Sequence, residues 1–382
     1  MACVNNSLLM KEENRLKILS LVREKVHSRA DIARSTGLSR AAVTLIVDAL
    51  IKEGLIVEGE SVRTGVGRRP TKLEVCPDAY VAIGIDLSRM GCSVSYINFA
   101  SKTVMEDSIP FMTDADSTIS AVCDSINRAL ETQFSDQRIL GIGVCCPGPI
   151  NSQNGMILNP PGLEMFHGFG VKQAIESRID LPVFLEKDTN ALAVCEKNIR
   201  KTDEDIVYLL ADHGIGCGVI KGSKLLCSEG GMGCEIGHVT LKFDGERCRC
   251  GNIGCAELYA SIPAILDKAN KEIGKKMDFN TFIELINGGN HEAKRIMADY
   301  VSILSAVCVG AVNLFEPDVI VLGGQLNKAE KLLSESIEQK LWGATLSCAQ
   351  RKVRVLGTAL GENARAYSAA ELVIERYLIG GQ

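Results

Sequence analysis

The sequence predicts an α/β protein built as a small helical head followed by a large body of alternating strands and helices. Three observations carry that prediction. Residues 14–53 repeat apolar positions at helical spacing and break at Gly37 and Gly54. From Tyr80 onward, short β-branched and apolar runs alternate with longer helical patterns, as in an α/β sheet. Charge divides at nearly the same place. Residues 1–72 hold 13 Lys/Arg against 8 Asp/Glu and the remainder holds 29 against 39, within a formal net charge of −5. A basic head on an acidic body suits a polyanionic partner for the head.

Composition narrows the class. At 382 residues there is room for two or three domains and a large core. Apolar content of 46% and charged content of 23% are those of an ordinary globular protein, not of a disordered chain. No apolar run reads as membrane-spanning, and Glu12 and Glu13 stand where a signal peptide would be apolar, so a cytoplasmic location is expected. The cysteines number 15, an odd count with irregular spacing, which argues against a disulfide framework.

In the head, Leu16, Ile18, Leu19 and Val22 predict a helix over 14–25. Ser28 and Asp31 read as a variant capping box opening a second helix over 29–35, ended by Gly37. Ser39 caps a third over 40–53, closed by Gly54. The short glycine turn between helices two and three is that of a helix-turn-helix. Segments 56–58 and 72–75 are expected to pair as strands around the tip 63–70. SRADIARSTGLSRAAVTLIVDALIKEGLI resembles the winged helix-turn-helix class. In that fold the third helix enters the major groove. The resemblance therefore assigns Arg34, Ser39, Arg40, Ala42 and Thr44 to DNA, and the tip arginines Arg63, Arg68 and Arg69 suit a narrow minor groove. The competing reading is a solvated helical hairpin whose basic tip only links two domains.

In the body, strands are expected over 80–86, 91–98 and 139–145, with a helix over 117–132. A second set follows over 205–210, 216–220 and 319–324. Both sets open with a strand, a polar turn and a returning strand, a weak internal repeat. Ligands of such sheets bind at strand ends. Domains are expected at 1–75 (the head), 76–200 (a first lobe) and 201–382 (a second).

His238, Cys248, Cys250 and Cys255 lie within one short segment whose backbone can turn at Gly251 and Gly254. One imidazole and three thiols suit tetrahedral Zn²⁺, and four protein ligands leave no open position, so the metal is expected to be structural. The pattern His-x₉-Cys-x-Cys-Gly-x₂-Gly-Cys-x-Glu resembles the zinc-binding signature of the ROK family (repressors, open reading frames and kinases for sugars). That resemblance implies a two-lobed actin-like ATPase fold across 80–375. It also implies a sugar pocket. Glu186-Lys-Asp-Thr-Asn190 resembles the family's Glu-Asn-Asp-Ala-Asn, whose Asp is the catalytic base of the kinases. The matching residue is Asp188, which could take a hydroxyl proton or bind a hydroxyl without reaction. Glu235, His238 and Glu257 match hydroxyl-binding positions, and Asn159 is a further member of the wall. Lys187 replaces the kinases' Asn. It either attracts a phosphate or carboxylate on the ligand or is a surface lysine beside the pocket.

The nucleotide side departs further. Asp86-Leu-Ser-Arg-Met90 stands for Asp-x-Gly-Gly-Thr, and Asp212-His-Gly-Ile-Gly216 for Gly-Thr-Gly-x-Gly. A carboxylate ~4 Å from a phosphate charge costs about 4 kcal/mol per charge pair at an effective dielectric of ~20. The resemblance thus implies a sugar-responsive DNA-binding regulator, a repressor, that has lost ATP-dependent phosphorylation. Its expected partners are operator DNA, a sugar or sugar-phosphate effector, structural Zn²⁺ and its own copies as a homodimer or homotetramer, with no membrane. The rival is a ROK sugar kinase that kept a DNA-binding domain, with Asp188 as its base. A third reading, from another class, is a scaffold that binds another protein.

Overall fold

The computed structural model describes residues 2–25, 27–59, 71–89, 91–226, 231–346, 349–361 and 363–380. The head is three helices, α1 (Ala2–Glu24), α2 (Arg29–Thr36) and α3 (Arg40–Lys52), and a hairpin of β1 (Ile56–Glu58) and β2 (Leu73–Val75). Helix α1 begins well before the predicted 14–25. Leu9 and Met10 are exposed there and make no apolar stripe to read. The capping box is present at α2, where the Asp31 carboxylate accepts from the Ser28 amide at 3.0 Å. Gly37 ends α2 at φ 73°, and the Ser39 hydroxyl caps α3 by accepting from Ala42 N at 3.2 Å. Strands β1 and β2 pair antiparallel, Ile56 opposite Val75 and Glu58 opposite Leu73. The tip arginines Arg63, Arg68 and Arg69 lie outside the described residues.

The chain gathers into two compact units, one of residues 1–145, 170–185 and 365–382, the other of 146–169 and 186–364. This runs along different lines from the 1–75, 76–200 and 201–382 expected from sequence. The reason is in the core. Ile18 and Val22 of α1, Val47 and Leu50 of α3 and Leu73 of β2 share one apolar cluster with residues of the first sheet. The head has no core of its own to set it apart.

That sheet holds β3 (Val81–Ser88), β4 (Gly91–Asn98), β5 (Thr103–Ile109), β6 (Ile139–Cys146) and β9 (Val183–Lys187), in the order β5-β4-β3-β6-β9. Helices α4 (Ala115–Thr132) and α5 (Val171–Glu176) belong to the same unit, as does α12 (Ala364–Leu378) from Arg365 onward. Helix α12 lies directly on the sheet: a Cβ at Gly84 would sit 1.9 Å from Ala366 O, and one at Gly143 2.0 Å from Ala369 O. Only glycine allows that approach. The side chain of Arg23, on α1, ties the head to α12. Its guanidinium pairs with Glu371 and, at 3.0 Å, with Glu375, and its Nε donates to Phe99 O at 3.2 Å.

The second unit opens with a small hairpin, β7 (Ile150–Asn151) and β8 (Met156–Ile157). Its sheet has β10 (Ile206–Ala211), β11 (Ile215–Lys221), β12 (Lys224–Leu225), β13 (Val319–Gly324) and β14 (Arg354–Gly357), ordered β12-β11-β10-β13-β14. The internal repeat is a shared topology. In each sheet the opening strand pairs antiparallel with its successor and parallel with the next major strand on its other side, β6 for β3 and β13 for β10. Around this sheet come α6 (Asp188–Arg200), α7 (Glu257–Ala260), α8 (Ile262–Ile273), α9 (Phe279–Asn287), α10 (His291–Phe315) and α11 (Glu330–Ala344). By length and composition α10 could cross a membrane, which corrects the expectation that no apolar segment qualifies. Its Ile296, Tyr300, Leu304 and Cys308, however, form part of the unit's core.

Candidate effector, metal and nucleic-acid sites

Strand β11 organises the sugar-side residues. At its first residue, the Ile215 amide donates to Glu257 Oε2 at 3.1 Å. Two residues on, Cys217 O accepts from the Thr189 hydroxyl at 3.0 Å, and the Cys217 thiol donates to Cys234 O at 3.2 Å. Thr189 fixes its neighbour Asp188, which is buried at the start of α6 and accepts from the Thr189 amide at 2.7 Å. A carboxylate in the first turn of a helix is favoured by the helix dipole. At the far end of α6, Glu196 is fully buried and accepts from Arg200 Nε at 2.6 Å and Ala359 N at 2.9 Å, so the helix is anchored at both ends.

Lys187 is not a surface residue. It is 2% exposed, and its Nζ donates to Gly233 O at 2.9 Å and Glu235 Oε1 at 3.0 Å. Burial pulls the ammonium down, but the charge of Glu235 and its hydrogen bond outweigh that and hold Lys187 above the ordinary lysine range. It therefore stays charged and is spent on Glu235. The structure brings Lys187, Asp188, Glu235 and Glu257 together around β11, and His238 follows Glu235 within one turn of 3₁₀ helix. Asn159 is exposed, and no hydrogen bond among the described residues joins it to that group.

The ligand atoms of His238, Cys248, Cys250 and Cys255 all lie within 4.8 Å of one another. His238 Nδ1 is 3.7 Å from Cys248 Sγ, and Cys250 Sγ is 3.6 Å from Cys255 Sγ. Tetrahedral zinc with bonds of ~2.3 Å to sulfur and ~2.0–2.1 Å to nitrogen separates such atoms by about 3.6–3.8 Å. The four residues fit the cation. Gly254 makes the loop possible: at φ 66° its Cβ would lie 1.6 Å from Lys242 O. Asn252, which the sequence reading passed over, supports the cluster. Its amide nitrogen lies 3.1 Å from His238 O and 3.4 Å from Cys255 Sγ. Asparagine beside a thiol carries no spacing signal, so only geometry reveals it.

On the nucleotide side, Asp86 is buried in β3 and accepts from the Cys145 thiol at 3.9 Å. Burial and the Asp86 charge push the Cys92 thiol up to about 12. In the second unit the Asp212 carboxylate accepts from Gln325 N at 2.8 Å, at the start of a short 3₁₀ helix after β13. The same oxygen would lie 2.5 Å from a Cβ on Gly324. Asp212 thus ties the end of β10 to the start of that helix.

In the head, Arg34, Ser39, Arg40 and Thr44 are exposed, whereas Ala42 is only half-exposed. The open face of α3 instead runs through Arg40, Ala41, Thr44 and Leu45, the last 73% exposed. Ala41 and Leu45 were missed because their apolar character reads as core. Arg34 pairs with Asp31 on its own helix. Arg29 bridges Asp48 of α3 at 2.7 Å and Glu58 of β1 at 3.0 Å, holding the recognition helix and the hairpin in one arrangement.

Residues 82–376 match the ROK family, and residues 11–57 match the winged helix-turn-helix DNA-binding domain. The chain belongs to the ROK family. It is 28% identical to the xylose repressor of Bacillus subtilis (strain 168), over 98% of this chain and 96% of that one. With the N-acetylglucosamine repressor of Escherichia coli O6:H1 it shares 27% identity, over 100% and 96% of the two chains. Among solved structures, a ROK family transcriptional regulator described as a homologue of the E. coli MLC protein superimposes with a TM-score of 0.83 at 25% identity, covering 97% of each chain. The fold is accordingly an N-terminal winged helix-turn-helix followed by the actin-like body of that family.

Proposed function

We propose that this ROK protein is a sugar-responsive transcriptional repressor: the head binds operator DNA and the body binds a sugar that changes operator affinity. The observation that carries the reading is the contrast between two rims of the second unit. The hydroxyl-binding carboxylates Asp188, Glu235 and Glu257 are each pinned by a hydrogen bond. Asp212, which stands in the altered phosphate loop, is committed instead to the Gln325 amide. Full-length similarity to the xylose and N-acetylglucosamine repressors supports the same reading.

Each group has a role that its chemistry suits. Carboxylates accept from sugar hydroxyls with directional bonds. Zn²⁺ would be held by His238, Cys248, Cys250 and Cys255 and would supply a structural clamp. The His238 ring would then offer its other nitrogen as a donor towards a sugar oxygen. Arg40, Thr44, Ala41 and Leu45 face the major groove, Arg34 and Ser39 flank it, and the tip arginines Arg63, Arg68 and Arg69 enter the minor groove. A homodimer or homotetramer sets two heads on a two-fold-related site in the cytoplasm.

Operator-release screening tests both ends of the molecule together. With labelled operator and a sugar library, one compound is expected to shift operator affinity by 1–3 kcal/mol of coupling, about 5- to 150-fold. In the absence of sugar, affinity should fall steeply with salt. A flat salt dependence, or no response to any sugar, would overturn the proposal. A second reading, a working sugar kinase, is favoured by Asp188, which the resemblance matches to the base of ROK kinases and which is buried at the start of α6. Sustained ADP release with ATP, Mg²⁺ and a hexose, abolished in Asp188→Asn, would establish it instead.

A further inference from the structure

The sugar-side group carries a charge pattern that selects a class of effector. Among the described residues Lys187 is the only fully buried lysine or arginine, and both of its recorded donor bonds go to Gly233 O and Glu235. Beside it stand the buried carboxylates Glu186 and Asp188, with Glu235 bonded to it. Glu186 is itself occupied, accepting from the Asn190 amide at 3.0 Å and from Lys187 N at 3.0 Å. A phosphate entering here would have to take Lys187 from Glu235 and would leave that half-buried carboxylate without its cation, an unfavourable exchange. It would also face Asp188 as a like charge. Sugar hydroxyls meet no such opposition, because every carboxylate in the group is an acceptor for them.

We propose that the effector is an uncharged sugar bearing no phosphate, and that Lys187 acts on it as a positioning residue, by fixing the Glu235 carboxylate. The inference rests on the sugar-sensing reading above and narrows it. Lys187 gives up flexible, general anion attraction. In return Glu235 presents one oxygen in a set direction while the other is bound to the ammonium.

The test is a paired titration of the full-length, zinc-loaded protein. Aldopentoses, aldohexoses and N-acetylhexosamines, and the terminal phosphate of each, are compared by thermal shift and calorimetry. A free sugar is expected to bind, with its phosphate weaker by about 100-fold or more, since each 1.4 kcal/mol of repulsion is tenfold. Equal or tighter binding of a phosphate would overturn the inference and leave the sugar-sensing reading standing. If neither form of any sugar binds, both fall. In Lys187→Met the free sugar should lose about tenfold or more in affinity, and Lys187→Arg should recover part of the loss. Equal affinity in Lys187→Met and the unaltered protein would remove the positioning role. Should these variants fail to fold, the paired titration on the unaltered protein decides alone.

Discussion

The two units carry their functional appendages in opposite ways. In the first, the DNA-reading head has no separate core: α1, α3 and β2 bury their apolar faces in the cluster that also holds Phe99 and Ile374, and Arg23 closes the join with Glu371 and Glu375. In the second, the loop that carries His238 and leads to Glu257 leaves Leu241 and Phe243 exposed, and the side chains of His238, Cys248, Cys250 and Cys255 converge within it. One appendage is held by hydrophobic burial and an ion cluster; the other gathers on an imidazole and three thiols whose spacing fits zinc. The head therefore shares the core of its unit, while the loop is expected to depend on a cation that can be withdrawn.

Withdrawing that cation should give the largest effect. Isolated zinc fingers gain ~10–16 kcal/mol of apparent binding free energy. If even a third of that supports the second unit, Cys255→Ser or chelation lowers its melting temperature by about 7 °C or more, at ~2–4 °C per kcal/mol. Calorimetry with metal analysis should show one zinc per chain and a shift in one transition, with sugar binding lost. An equal shift of both transitions would break the contrast between the units.

Arg23→Met should come next, and should strike the first unit. It leaves Glu371, 5% exposed, without its cation, and removing one partner of a buried pair costs ~3–5 kcal/mol. Burial already raises Glu375 above the ordinary carboxylate value, against the opposing pull of Arg23. A raised carboxylate favours the folded state in acid and loses that contribution as pH rises through its folded value. Without Arg23 the rise should be larger, so the variant's deficit should be greater at pH 8 than at pH 5. Denaturant titration at the two pH values checks it; the same deficit at both would show that the carboxylates find other partners.

The two appendages also differed in how far they could be read in advance. Spacing singled out His238, Cys248, Cys250 and Cys255, which the structure gathers within 4.8 Å, because Cys-x-Cys and His-x₉-Cys have few other uses. Caps and glycines located α2 and α3 to within a residue or so. Of the two readings of Lys187, the surface one fails, because a sequence cannot say which carboxylate a lysine meets: Glu235 lies far along the chain. Asp212 was read only as a repulsive charge, since its bond to Gln325 N depends on β10 and β13 lying side by side. The union of the head with the first sheet was likewise invisible, as apolar residues do not declare which core they join.

Smaller effects are expected on the outer face of α3. Arg40→Ala should cost ~1–3 kcal/mol of operator affinity and relax preference at one base pair. Leu45→Ala should weaken binding by less, and chiefly at a site with a thymine methyl. Neither should move the melting temperature, because both side chains are exposed. Anisotropy with single-base operator variants reads both. A melting shift with unchanged operator affinity would instead mark the face as a protein contact.

The smallest effect concerns the cap that orients α2. Bonds from the Ser28 hydroxyl and amide hold the Asp31 carboxylate below its ordinary range, with a smaller contribution from Arg34. A lowered carboxylate contributes stability above its unfolded value and loses it as pH falls through the folded one. The cap should thus weaken only in strong acid. Because Asp31 is largely solvated, its charge is screened and the contribution stays below about 1 kcal/mol. Ser28→Ala removes the hydroxyl arm at ~0.5–2 kcal/mol. Hydrogen exchange should then show faster opening of α2 amides with those of α12 unchanged. Equal acceleration in α12 would mean that even this exposed cap is felt through the shared core, and that the head and the first sheet open as one body.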